Sequence, residues 1–142
     1  MFADLFVLLL TGHWLADYPG QTDRQAARKA GWTEGEDGPN PGRHHHGWGE
    51  NLLHAATHVA ITAVLLLGAF ALDLHPSTAG LAAGLAWIGA SHSFIDRRWA
   101  VRWWMERTGQ AEFLAQGGAA YVDQAAHVGL GLLPAALAIT LL

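Results

Sequence analysis

A chain of 142 residues suits one compact domain and no more. It is 51% hydrophobic and only 14% charged, against roughly 25% in soluble domains, and its net charge of −4 offers no basic footprint for nucleic acid. Cysteine is absent, which excludes a disulfide framework and a thiolate metal site, so any metal is held by nitrogen and oxygen.

Residues 2–18 open the chain with an apolar run that carries His13 and Asp17 at its end. No basic segment precedes it and no small-residue cleavage site follows, so it reads as a retained first membrane helix rather than a signal peptide. It sits at the short end of the roughly 20 residues that a bilayer-crossing helix needs. Residues 19–50 are rich in Gly, Pro and charge. The stretch GEDGPNPGRHHHGWG has neither helical nor strand periodicity and reads as loop. Its Arg43-His44-His45-His46 run reads better as a solvated loop than as a source of ligands.

Residues 51–73 form the second expected span, free of Lys, Arg, Asp and Glu over 52–72, with His54 and His58 near its start. DLHPST is a tight polar turn in which His75 stands alone. The third span, 78–96, carries Gly80 and Gly84 in a small-xxx-small pattern that permits close helix contact, and ends on His92 and Asp96. Residues 97–118 begin RRWAVRWWMERTG, a pattern of arginines and tryptophans that suits an interfacial helix. The last span, 119–142, starts with Asp123 and His127.

Four apolar stretches thus each carry a His or Asp pair at i, i+4, and such a pair lies on one helical face. All eight Lys and Arg fall in the first and third connections. The positive-inside rule places both connections in the cytoplasm and both termini on the outer side of the inner (cytoplasmic) membrane. Alternate helices run in opposite directions, so all four pairs reach one depth, within about two turns of the cytoplasmic surface. The expectation is an all-α, four-transmembrane-helix bundle with a His/Asp cluster near its cytoplasmic face.

Imidazole and carboxylate suit zinc, manganese or iron. The expected ligands are His13, Asp17, His54, His58, His92, Asp96, Asp123 and His127, with His54/His58 the leading pair. Five histidines and three aspartates exceed one tetrahedral shell, so either two ions bind or the surplus aspartates orient histidines. The competing reading is a metal-free network of His–Asp hydrogen bonds that pins the helices. His54-Ala-Ala-Thr-His58 lacks the Glu of a zincin motif. Gln21 and Gln124 flank the first and fourth pairs, placed either to bind substrate or to cap the cluster.

The ordered motifs HWLADYPGQTD, LHAATH, SHSFID and DQAAH resemble the bacterial and phage membrane proteins grouped as domain-of-unknown-function family 3307, over nearly the whole chain. That family is distantly similar to inner-membrane proteins described as metal-dependent hydrolases. The resemblance implies that the eight His and Asp residues form an active-site set. The long Gly/His-rich first loop departs from the family pattern.

The favoured function is hydrolysis assisted by one or two divalent transition ions, zinc foremost, with Asp17 or Asp96 as general base. Inner-leaflet depth beside basic interfacial residues suggests membrane lipid as partner and a lipid phosphate or other phosphate-bearing small molecule as substrate. Two alternatives stand beside it: a metal or proton transporter using the cluster as a relay, and a non-enzymatic membrane adaptor with a structural network. The sequence leaves a homo-oligomer open.

Overall fold

The computed structural model describes residues 1–142 and is mostly helical. Four long elements carry the architecture: α1 (Phe2–Asp17), α3 (Trp48–Ala69, extended by a 3-10 turn Phe70–Leu72), α4 (Thr78–Ile95), and a last helix made of α7 (Ala119–Ala126), a π-helical segment (His127–Leu132) and α8 (Leu133–Leu141). Neighbours pack in a closed ring, α1 on α3, α3 on α4, α4 on α8, and α8 back on α1.

Each end has a local cause. Pro19 and Gly20 follow α1 and stop it. Ser77 caps α4 by accepting from the Gly80 N–H at 2.9 Å, directly after Pro76. The π segment is explained by Pro134, which brings no N–H for the carbonyl of Leu130. The Trp87 indole donates to that carbonyl instead, at 2.9 Å, and so ties α4 to the widened turn.

The four expected spans are borne out only in part. By length and hydropathy only two helices qualify, Trp48–Leu72 with 25 residues and Ala119–Leu141 with 23. At 1.5 Å per residue, α1 with 16 residues is only about 24 Å long and α4 with 18 about 27 Å, short of the ~30 Å hydrocarbon core.

The first connection is also more ordered than its composition suggests. It contains α2 (Asp23–Arg28), started by a capping box in which Thr22 Oγ1 accepts from Gln25 N–H and Gln25 Oε1 accepts from Thr22 N–H. A two-residue antiparallel pairing of β1 (Trp32–Thr33) with β2 (His44–His45) follows. Gly47, at φ +68°, turns the chain into α3 so close to the Arg28 carbonyl that a Cβ would not fit. The third connection is two short helices, α5 (Trp99–Arg107) and α6 (Ala111–Ala115), separated at Gly109, where φ is +77°.

The interior is layered. An apolar core of Leu5, Leu9, Leu66, Ile88, Ala135 and Ile139 fills one end of the ring. A small apolar cluster of Ile95, Val101 and Met105 lies at the other. The His/Asp residues occupy the layer next to the large core. Gly84 lets α4 and α8 touch, since a Cβ there would stand 2.6 Å from Ile139 Cδ1.

Candidate metal centre

Seven of the eight residues meet in one buried cluster: His13 and Asp17 from α1, His54 and His58 from α3, His92 and Asp96 from the end of α4, and His127 from the π segment. Helix direction explains the meeting. α1 and α4 end at this level, while α3 and the last helix begin there.

Asp17 is the hub. Its Oδ1 lies 3.0 Å from His54 Nε2, 3.1 Å from His58 Nε2 and 3.6 Å from His92 Nε2. Its Oδ2 accepts from Gln124 Nε2 at 2.9 Å, and the Gln124 carbonyl oxygen lies 3.0 Å from His13 Nε2. Asp96 forms a second focus. Its Oδ2 is 3.2 Å from His92 Nε2 and 3.6 Å from His54 Nε2, and its Oδ1 is 4.0 Å from His127 Nε2.

Two groups of ligand atoms have every member within 4.8 Å of the others: Asp17, His54, His58 and His92, and then His92, Asp96 and His127. Ligands at 2.0–2.1 Å from a tetrahedral zinc lie about 3.3 Å apart, and the Asp17–histidine distances straddle that value. In the second group His92 Nε2, Asp96 Oδ2 and His127 Nε2 are all buried without a hydrogen-bond partner. One orphaned buried polar atom is costly; three converging from two helices describe a place for a cation. The donor set therefore fits a divalent ion, with His92 shared between the two groups.

Asp123 is not in the cluster. Its main-chain oxygen accepts from His127 Nδ1–H at 2.9 Å, and its Oδ2 lies 3.3 Å from the same nitrogen. A ring that donates through Nδ1 presents Nε2 inward as an acceptor, so Asp123 orients His127. His13 also falls outside both ligand groups and contacts Asp17 and Gln124 instead.

The chain matches no family model, no curated protein and no solved structure.

Sequence reasoning passed over Lys29. It leaves the C-cap of α2 with its side chain buried, and its Nζ sits 2.8 Å from Asp96 Oδ1 and 4.0 Å from Asp17 Oδ1. Arg97 Nη1 donates to the Lys29 carbonyl at 2.8 Å and Arg98 Nη2 to that of Ala26 at 3.3 Å, so α2 is fastened across the end of the bundle. The pattern that could have found it is Thr22-Asp-Arg-Gln25, a capping-box signature. Asn51, fully buried, was also passed over; its Nδ2 donates to Ser93 O at 3.1 Å and joins α3 to α4 beneath the cluster.

Of the flanking glutamines, Gln124 caps the cluster, while Gln21 donates to the Asp17 carbonyl at 2.8 Å. The His44–His46 run stays away from the centre. His45 Nε2 meets Glu34 Oε1 at 2.6 Å and its ring stacks on Trp32. His75 pairs with Asp73 on the surface.

Proposed function

We propose that the chain is a four-span inner-membrane protein whose His/Asp centre holds one or two divalent transition ions, zinc by ligand chemistry, and hydrolyses a phosphate-bearing amphiphile at the inner leaflet. The observation that carries the reading is the convergence of Asp17 Oδ1 with three imidazoles, beside three unpartnered donor atoms of a second group.

The membrane part rests on where apolar surface lies. His13, His54, His58, Asn51 and Asp96 are as fully buried as Leu5 and Leu9, while Val64, Leu67, Leu53 and Leu130 are more than 60% exposed. Only 28% and 33% of the two long apolar windows are buried, whereas the core helix of a soluble protein is mostly buried. A surface this apolar around a polar centre suits lipid as the outer solvent. In a bundle that also shields them, α1 and α4 cross with the help of flanking residues and local thinning of the bilayer.

A bound divalent ion supplies a water activated near pH 7 and polarises a phosphoryl oxygen. Asp17, His54, His58 and His92 would hold it. With a single ion held there and the second group empty, Asp96 is the general base: Lys29 engages Oδ1, and Oδ2 is free to accept the water proton. Water adds to phosphorus as the ester oxygen leaves, and the proton on Asp96 passes to that oxygen. Lys29 offsets negative charge beside the transferring group.

The transporter alternative is disfavoured by the apolar layer of Leu5, Leu9, Leu66 and Ile139, which carries no polar group onward to the outer side. The adaptor alternative draws on the His54 and His58 hydrogen bonds to Asp17, which would pin helices without an ion. Elemental analysis of detergent-purified protein separates the two. A stoichiometric transition metal, lost in both His54→Ala and His58→Ala, supports the hydrolase; metal-free protein of full stability leaves the adaptor. With metal present, Asp96→Asn should keep the ion and lower turnover of phospholipid-like esters by about 10²-fold.

A further inference from the structure

A groove of about 1170 Å³ runs along the outside of the bundle between α4, α5 and the last helix. Ligand pockets commonly measure about 300–1,000 Å³, so this one is large. Trp87, Leu130 and Pro134 line it along α4 and the last helix, and Phe94, whose ring centroid lies 5.5 Å from that of Trp99, joins this part to Trp99, Trp103 and Trp104 of α5. Among its lining side chains only Ser91 carries a hydroxyl, and that group is spent on the Trp87 carbonyl at 2.7 Å. The Trp87 N–H is likewise spent on Leu130. The wall made by α4 and the last helix therefore asks nothing polar of an occupant.

Ser91 has a second neighbour. It also lines an ion-sized cavity of about 10 Å³ bounded by His13, His92, His127 and Gly131. The groove and the metal centre are thus separated by the thickness of one small residue. Across that wall, a Cβ on Gly131 would approach Ser91 Oγ to 3.3 Å, so the wall is thin because both residues are small. At the α5 end, the Arg107 guanidinium lies 4.8 Å over the ring of Trp103, a lining residue, and so places a cation beside the groove.

We propose that this groove is the chain site for a lipid with an anionic phosphate head, the hydrocarbon tail lying against Trp87, Leu130 and Pro134 while the head sits among the α5 tryptophans and Arg107, level with Ser91. The tail needs an apolar, chain-shaped wall, the head a cation at interfacial depth, and the ester between them a position next to His92 and His127. The groove supplies these along one line. The role of the metal centre rests on the hydrolase reading; occupation of the groove by lipid does not, and it is tested without turnover.

The test uses the full chain in phosphatidylcholine bicelles doped with phosphatidic acid that carries a photoactivatable diazirine on its acyl chain, with adducts mapped by mass spectrometry. The expected result is a roughly tenfold excess of adducts at Trp87, Phe94 and Leu130 over Val64 and Leu67 of α3, equivalent to about 1.4 kcal/mol of preference. Ala90→Trp, which fills the groove from an exposed position on its wall, should abolish that excess while bound metal is unchanged. Equal labelling of groove and α3 face, or labelling indifferent to Ala90→Trp, means annular lipid only and overturns the site. Equal excess from a diacylglycerol diazirine overturns the anionic head. Cross-links between two copies through Trp87 overturn the lipid in favour of a dimer. Metal-free protein that still shows the groove excess defeats only the hydrolase reading.

Discussion

Lys29 Nζ and Asp96 Oδ1 are 2.8 Å apart with both side chains more than 90% buried, one on a short helix of the first connection and the other at the end of α4. Removing the lysine leaves a carboxylate buried beside a second one, Asp17. Breaking a buried pair from one side costs about 3–5 kcal/mol, most of it the uncompensated charge. Lys29→Met should therefore lower the thermal midpoint strongly. Lys29→Met with Asp96→Asn should recover much of the loss, because the carboxylate that lost its partner is gone and Asp17 keeps its contacts with His54, His58 and Gln124. A double variant as unstable as the single one would mean that Lys29 acts through packing alone.

Gly84 marks the closest approach of α4 to the last helix. A side chain there meets Ile139, which is itself in the core. Gly84→Leu should cost about 1–3 kcal/mol as overpacking, read as a lower unfolding midpoint in detergent. Gly129→Leu is the matched control, because nothing lies within 4 Å of a Cβ at that position. Equal effects at both would show a general cost of leucine in these helices and not a contact.

Glu34 orders the first connection. His45 beside it holds its carboxyl below the ordinary value of 4.5, helped by the N–H of Asn40, which donates to Oε2 at 2.7 Å. A carboxylate whose value falls on folding contributes order that is fully present above its unfolded value and is lost as pH drops through the folded one. Protease protection of residues 34–45 should accordingly be constant at neutral pH and decline below about pH 4.5. In Glu34→Gln the acid step should vanish, with protection low at every pH. A step that persisted in the variant would assign it to another group.

The long helices and the shared depth of their His/Asp pairs were legible because i, i+4 spacing fixes a face and alternating direction fixes a level. Spacing alone was silent on roles. Asp123 and His127 share a face, yet the aspartate stands behind the imidazole and His127 alone faces the centre. Lys29 was hidden for a different reason. A six-residue helix is too short to show periodicity, and the surrounding Gly and Pro read as loop, so the lysine counted only as a topological charge. The bounds of the first and third spans, 2–18 and 78–96, fall within a residue of α1 and α4, and what hydropathy left open is whether helices of 16 and 18 residues cross a bilayer.

The distribution of Lys and Arg gives the last prediction. With four crossings, Gly38 in the first connection lies in the cytoplasm and Ser77 in the α3–α4 turn lies outside. Ser77 is exposed at a helix cap in a polar turn, and Gly38 is half-buried in a turn against the flexible end of Glu34, which must give way slightly to a cysteine there. The chain has no cysteine, so Gly38→Cys and Ser77→Cys each report alone. In intact cells a membrane-impermeant maleimide should label Ser77→Cys and leave Gly38→Cys unlabelled until the membrane is opened. If only the two long apolar helices cross, α1 and α4 lie on or within the bundle and the sidedness changes. Gly38 and Ser77 still flank α3 and still differ, but Met1→Cys, introduced behind an added start residue, then joins Gly38 on its side. Four crossings instead put position 1 with Ser77. Labelling of position 1 and Gly38 from the same side would reduce the bundle to two spans, and labelling of Gly38 and Ser77 from the same side would remove α3 from the membrane altogether.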